Sequence, residues 1–423
     1  MSPSFDGQWR PPRPSDLGGP EQLADVLIDF RHWHATKGLH ANGEIPDEHL
    51  RWLIKLAYFA SQTADEGRYP QFRIFCPAAG SRSAMDELRI FTFQEPRPLR
   101  DVNSLRKLAP LVASRERALL VMNTDQGLVC HAVVAIVRPT HLGPPQHGIS
   151  VRPEGLMLRV DGPGTLQATE AGLTFILRAG TVQNLSPYHQ IEPVKHWFAA
   201  LAETLLRRCA SAEAPEEQTS LAARTPLRML ITSIWSDVLH TTLNLRHGGA
   251  FIVVPDPAKA PLVRKHEIRD LDLGAEIESY WQSRRLVEQQ QQKSEIERSL
   301  QMCQKQWHRL ITRAHAIAHL TSVDGCVVLD RELRVDSFGA FIHVDRQMIA
   351  GPRRPEMDYW TREIVSTGEN FGTRHHSARN LCLAQSDAFA FVVSQDGDLT
   401  LYFSDAHAVY RSLLLSPADG VDW

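Results

Sequence analysis

Residues Gly372-Thr373-Arg374-His375-His376-Ser377-Ala378 set a glycine, a hydroxyl, a fixed cation and two imidazoles where a loop enters a helix. This arrangement suits phosphate, because backbone N–H groups at a helix N-terminus bind anions and an arginine fork adds charge-assisted hydrogen bonds to phosphate oxygens. The same residues also suit an ordinary helix start, with Thr373 as cap and Arg374 on the surface. A second signal is Asp324-Gly325-Cys326-Val327-Val328-Leu329, a carboxylate and a glycine at the mouth of an apolar strand. The carboxylate can hold a metal ion or orient a hydroxyl, and the glycine lets a ligand approach the backbone. Asp-Gly is equally the usual chemistry of a turn. His315 and His319 stand at i and i+4 on one helix face, as zinc ligands would, but no Glu follows the first, so HExxH is absent and a structural role is favoured. His32 and His34 face different ways on a helix and read as surface residues. The chain has no GxxxxGK[ST], no GxGxxG after a strand and no GxSxG, so P-loop, Rossmann and α/β-hydrolase readings lack their anchors.

The elements that must position these residues follow from periodicity. A helical pattern over 226–245 runs into Arg246-His247-Gly248-Gly249 and the apolar strand 250–255. Residues 275–320 read as one long helix or a helical hairpin. The middle of that stretch, 288–295, is polar on every face, which suits a solvent-exposed stretch, a bend, or a protrusion that pairs with another chain. Strands are expected at 325–330 and 333–342, followed by a loop with Gly351-Pro352 and Pro355. Two final strands, 388–394 and 399–403, flank Gln395-Asp396-Gly397-Asp398. Upstream, two helices are expected around Leu23 to Phe30 and Leu50 to Tyr58. Strands follow at 72–76 and 88–93, then a hairpin over 118–137 turning at 123–127. More β sequence at 156–160 and 173–177 is broken by Gly162-Pro163-Gly164, and a helix over 194–209 closes the first part. Polar residues 211–222 read as the linker, dividing a loose start (1–20) and a first domain (21–210) from a second domain (223–423).

Composition bounds the partners. The 423 residues carry 46 Lys and Arg against 49 Asp and Glu, a formal charge of −3, with 43% hydrophobic and 22% charged residues. Such a chain can bury real cores, and its length suggests two or three domains. Without a positive excess, neither nucleic acid nor an anionic membrane is an expected partner. The six cysteines are far apart and form no CxxC pair, so they read as buried thiols in a reducing compartment. The first twenty residues lack a signal peptide's apolar core, and no stretch approaches the roughly 18 apolar residues of a membrane span. A cytoplasmic location is expected.

In their order along the chain, helix, glycine turn and strand (226–255), Asp324-Gly325-Cys326, a strand ending SFGAFI, Gly372-Thr373-Arg374-His375-His376 and a strand ending Val393-Ser394-Gln395 resemble the diadenylate cyclase (DAC) domain. That family is marked by Asp-Gly-Ala and Arg-His-Arg motifs. Residues 324–326 match the first with Cys for Ala. Residues 374–376 match the second with His for the last Arg, and the preceding Gly-Thr is kept. The resemblance covers about residues 225–415. The first half, with AYFASQTADEGRYPQFRIF (57–75) and the later helix into Arg246-His247-Gly248-Gly249, resembles the sensor module that precedes DAC domains in DACNV-type proteins.

The resemblance implies an α/β protein: an N-terminal α/β sensor-like domain, then a DAC-type domain with a mixed central sheet flanked by helices and a long helical insertion. It implies a regulated enzyme that joins two ATP molecules into cyclic di-AMP and releases pyrophosphate. Asp324 would lie near the attacking 3′-hydroxyl with a divalent metal, Mg²⁺ or Mn²⁺, to which His375 would also contribute. Gly325 would admit the nucleotide to the backbone. Gly372, Thr373, Arg374, His375, His376 and Ser394 would grip the phosphates. ATP or a related nucleotide is the expected partner, with a small-molecule signal at the N-terminal domain. Because two domains must meet face to face, a homo-oligomer is expected, and 275–320 is a device for assembly. His376 replaces a permanent cation with an imidazole, and Cys326 brings a risk of oxidation near the site. Two other functions stay open: a nucleotide or cyclic-dinucleotide receptor on the DAC fold, and an oligomeric scaffold built through 275–320.

Overall fold

The computed structural model describes residues 19–36, 45–64, 67–78, 88–113, 117–135, 155–171, 173–185, 188–209, 221–289, 293–344, 354–360, 362, 364–365, 372–395 and 398–414. Apart from residues 141–145, which lie outside these, the chain divides into a first compact unit up to Leu185 and a second from Ser186 onward.

The first unit packs helices α1 (Pro20–Thr36) and α2 (Asp47–Gln62) on an eight-stranded sheet. Its strands are β1 (Phe72–Pro77), β2 (Arg89–Pro98), β3 (Arg117–Thr124), β4 (Gly127–Ala135), β5 (Gly155–Gly162), β6 (Thr165–Glu170), β7 (Leu173–Arg178) and β8 (Thr181–Leu185), with the short helix α3 (Val102–Leu108) between β2 and β3. The order is β2-β4-β3-β1-β5-β6-β7-β8, with β1 and β3 parallel and the other neighbours antiparallel. The helical spacing of Leu23, Leu27, Phe30, Leu50, Leu53 and Ala57 sets one apolar stripe on each helix against Ile74, Leu119, Leu158 and Phe175. The β3–β4 hairpin pairs Thr124 with Gly127, so its turn is Asp125-Gln126, tighter than the five residues expected. Strands β6 and β8 lie beyond the two strands expected after 155.

The second unit is built on a nine-stranded mixed sheet. Helices α4 (Glu192–Cys209) and α5 (Leu221–Leu245) precede β9 (Gly249–Val253), β10 (Leu262–Val263) and β11 (His266–Glu267). Helices α6 (Leu273–Gln289) and α7 (Lys293–Leu320) lead to β12 (Cys326–Leu329), β13 (Val335–Ile342) and β14 (Glu356–Asp358). Helix α8 (Thr373–Ala384), β15 (Phe389–Val393), β16 (Leu399–Ser404) and β17 (Val409–Leu414) complete it. The order is β10-β13-β12-β9-β15-β16-β17-β14, with β11 also on β13. Strands β9 and β12 are parallel, as are β14 and β17. The protein is thus mixed α/β, with two mixed sheets flanked by helices.

Strand alternation gives the second sheet two unlike faces. Phe251, Val253, Leu329, Phe389, Phe391 and Leu401 meet Trp197, Trp235, Ile277 and Leu310 of the larger helical layer. The other face carries smaller groups, Ala250, Cys326, Ala340 and Ala390, which let α8 approach through Ala378, Leu381 and Cys382. Trp235 is fully buried and edges onto Phe251 and Phe391 with ring centroids 5.4 and 5.5 Å away. Trp235→Ala is expected to destabilise the protein by about 3–5 kcal/mol. Trp235→Phe should cost much less, because the indole N–H has no partner among the described residues to lose; urea midpoints of the two variants check this.

Two expectations change, and a choice left open between a long helix and a helical hairpin is decided. Helix α4 belongs to the second unit: Trp197 stacks on Phe389 at 5.3 Å, and its Nε1 donates to the Arg331 carbonyl at 2.8 Å. The division therefore falls at 185/186, not at 211–222. The polar stretch after Cys209 joins two helices of one layer, and residues 210–220 lie outside the described residues. Residues 275–320 form a helical hairpin, closed by Tyr280 against Trp307 (5.0 Å) and by Arg309 paired with Glu276 at 2.8 Å. Its expected polar centre is partly described, with 290–292 outside. The chain's final β segment has a third strand, β17, paired along its whole length with β16. No helix among the described residues is long and apolar enough to cross a membrane.

Candidate functional site

Sheet topology brings the sequence motifs to one end of the second unit. Because β9 and β12 are parallel, their N-terminal ends lie side by side, and the end of antiparallel β15 joins them through the Val393–Gly249 pair. The turn before β9 (246–248), the loop before β12 (321–325) and the turn after β15 at Ser394 therefore share an edge, and α8 lies on the small-residue face beside them.

Gly248 has φ +66°, and a Cβ there would stand 3.0 Å from Arg374 Nη1, 3.0 Å from the Val393 carbonyl oxygen and 3.3 Å from the Gln395 nitrogen. The Arg374 guanidinium thus lies over bare backbone where a side chain would displace it. Its Nη2 is 4.0 Å from Asp324 Oδ1; the Asp324 side chain is 96% exposed and that of Arg374 34% exposed. An ion pair this long and this wet contributes little to stability. Carboxylate and guanidinium both stay available to a ligand.

Gly325 plays a different part from the one expected. Its φ is +120°, and a Cβ would stand 2.5 Å from the Gly339 carbonyl carbon and 2.7 Å from the Ala340 oxygen. The space is filled by the backbone of β13, not left open for a nucleotide. Gly325 holds Asp324 against β13. Cys326 is also less exposed to chemistry than expected. Its buried thiol donates to the Ala340 carbonyl at 3.2 Å, and burial pushes its pKa up to about 12. With almost no thiolate, it is a poor target for oxidation.

At the start of α8, Gly372 is the N-cap, and no side chain makes a capping hydrogen bond. Thr373 is the first residue inside the helix and is exposed, so it is not the cap that its hydroxyl allowed. A helix start of this kind presents N–H groups that have no intrahelical acceptor. Ser394 is built into the β15–β16 turn: its N–H donates to the Asp398 carbonyl (2.8 Å), and its Oγ accepts from the Asp398 N–H (3.0 Å). The hydroxyl keeps its own proton to donate. His376 is exposed.

His375 is half-buried, with Nδ1 3.2 Å from Tyr402 Oη. Burial lowers its pKa first, the positive charge of Arg411 lowers it further, Asp398 opposes this, and neighbouring His376 adds a smaller lowering. Below the unfolded pKa of about 6.5 the unfolded chain takes up this proton while the folded chain resists it, so His375 contributes stability at higher pH that is lost as pH falls. Between pH 7 and 5 the wild type should lose more stability than His375→Gln, as read from urea midpoints at each pH.

A divalent cation tests the donors present. Among the described residues no group of three His, Cys, Asp or Glu could hold a metal ion. Magnesium-type ions commonly take one or two carboxylates and complete their shell with water and substrate phosphates. The exposed Asp324 fits that habit; His375 turns Nδ1 to Tyr402 instead. His315 Nε2 lies 2.9 Å from Asp237 Oδ2 and His319 is exposed, and among the described residues no group of three ligands gathers around the pair on α7. Gly248 and Tyr402 were not singled out from sequence. Only the Gly248-Gly249 pair at a strand mouth signalled the first, and Tyr402 reads as an ordinary strand residue.

The family model described as "Probable sensor domain DACNV" matches residues 41–134, which run from before α2 to β4 in the first unit. None of the curated proteins matches the chain.

Proposed function

We propose that the second unit binds ATP at the edge formed by Asp324, Gly248, Arg374 and the start of α8, and joins two ATP molecules into cyclic di-AMP under control of the N-terminal sensor domain. The observation that carries this reading is Arg374, seated over Gly248 with the open Asp324 carboxylate 4.0 Å away, at a helix start without a side-chain cap. The DACNV match upstream supports a regulatory input.

In this reading the α8 N–H groups and Arg374 bind phosphate oxygens, with Ser394 and Thr373 hydroxyls as further donors. Asp324 orients one nucleotide's 3′-hydroxyl and takes its proton. The oxygen forms a bond to the other nucleotide's α-phosphorus while the bond to the bridging oxygen breaks and pyrophosphate leaves; the reciprocal step closes the ring. A Mg²⁺ or Mn²⁺ ion held by Asp324 supplies charge neutralisation when bound. The rest is in-line positioning, which requires two such sites face to face and hence a second copy of the chain. Calorimetry with ATP and Mg²⁺ tests the site: saturable binding is expected, weakened at least about tenfold in Arg374→Ala. Wild type that binds no ATP would overturn the reading.

One observation favours a second reading, a nucleotide receptor that does not turn over. His376 puts an exposed imidazole where the DAC motif has a permanent cation. A receptor would bind ATP or a cyclic dinucleotide and return it unchanged.

A further inference from the structure

The turn before β9 holds an arginine where the backbone favours a glycine. Arg246 follows the last residue of α5 with φ +54°, in the left-handed region, and its N–H donates to the Leu243 carbonyl at 3.3 Å. A helix that closes this way usually does so on glycine, because a Cβ is strained there. The Arg246 side chain does not support the fold. The residue is exposed, and among the described residues its side chain makes no hydrogen bond or ion pair. Strain kept by a side chain with no structural partner is a mark of functional sites. Gly248, two residues on, has Arg374 Nη1 3.0 Å from the place of its Cβ. Two trans peptides span at most about 7.6 Å between Cα atoms, so Arg246 shares the edge that carries Arg374 and Asp324.

We propose that Arg246 is a phosphate-binding residue, a second fixed cation that acts with Arg374 on the triphosphate tail of a bound nucleotide. The proposal rests on the phosphate reading of this edge. At the start of α8, His376 is an imidazole where the DAC motif has a permanent cation. A guanidinium keeps its charge at every working pH and can bind phosphate oxygens through two parallel N–H bonds, which one imidazole cannot do. The turn before β9 then supplies the fixed charge that α8 does not carry at 376. Its left-handed backbone is kept by an arginine because the side chain is needed for a ligand and not for the turn.

Stability and affinity should therefore move in opposite directions. In the full-length protein Arg246→Gly relieves the left-handed backbone, so its urea midpoint should rise above that of wild type. Calorimetry of the same variant with ATP and Mg²⁺ should show affinity about tenfold weaker, the scale of one charge-assisted contact. Arg246→Ala keeps the strained turn but loses the cation, and it should weaken ATP by the same factor. Arg246→Lys keeps the charge and should bind within about threefold of wild type. ATP bound as tightly by Arg246→Ala as by wild type would overturn the proposal and leave the phosphate reading standing. A loss confined to Arg246→Gly would also overturn it, because a loosened turn would then be the cause. So would a midpoint of Arg246→Gly below that of wild type, since the side chain would then have a structural task. Wild type that binds no ATP would overturn the phosphate reading and this proposal with it.

Discussion

Asp324→Asn is expected to leave the chain folded and to stop the proposed cyclic di-AMP formation. The side chain is 96% exposed, and its one ion pair among the described residues, to Arg374, is 4.0 Å long, so the substitution should move stability by no more than about 0.5 kcal/mol. Asn keeps the shape but loses the charge. It can neither take the 3′-hydroxyl proton nor hold a divalent cation, and removing a positioned base of this kind typically costs about 10²–10⁴ in rate. ATP affinity should change only a few-fold, because in the proposed site Arg374 and α8 hold the phosphates. Product by mass spectrometry, thermal midpoint and calorimetry on the same preparation check the three parts. Product within tenfold of wild type would remove Asp324 from the chemistry.

Gly325→Ala has the opposite profile, since it is expected to damage the fold and the site together. Its φ of +120° is strained for any side chain, and the new Cβ would stand 2.5 and 2.7 Å from backbone atoms of Gly339 and Ala340. Flexible side chains yield to such contacts, but β13 is pinned on both sides by β12 and β10. The strained conformation costs about 1–3 kcal/mol, and the overlap adds to it. A loss of about 3 kcal/mol or more is expected, with Asp324 displaced and activity lost. Gly127 is the control: its φ is +94°, but nothing lies within 4 Å of a Cβ. Gly127→Ala should therefore show the conformational cost alone. Equal urea midpoints for the two variants would contradict the packing role of Gly325.

The elements were legible wherever local pattern decided them. The apolar runs of β9, β12 and β15 are read as strands because both their faces are covered, by α8 on one side and the larger helical layer on the other. Helix α8 was marked by its glycine entry. The candidate site's Asp324 and Arg374 were legible as residue types; parallel β9 and β12 bring Asp324 beside Gly248, over which Arg374 lies. What stayed hidden depends on contacts across the chain. Helix α4 carries no sign in sequence that Trp197 would stack on a residue 192 positions later, so the polar stretch after it looked like a boundary. Strand β17 mixes buried and half-buried positions and gives a weaker signal than its neighbours. A glycine reads alike whether a ligand or the protein's own β13 fills the space at its Cα, which is why the role of Gly325 reversed. Tyr402 acquires meaning only from His375, whose Nδ1 lies 3.2 Å from its hydroxyl.

The central claim is the joining of two ATP molecules, and mass spectrometry of the full-length protein with ATP and either Mn²⁺ or Mg²⁺, across pH 6 to 9 and a range of protein concentrations, tests it most directly. The expected result is cyclic di-AMP with pyrophosphate, rising more steeply than protein concentration because two copies must meet. ATP recovered unchanged under every one of those conditions would contradict it.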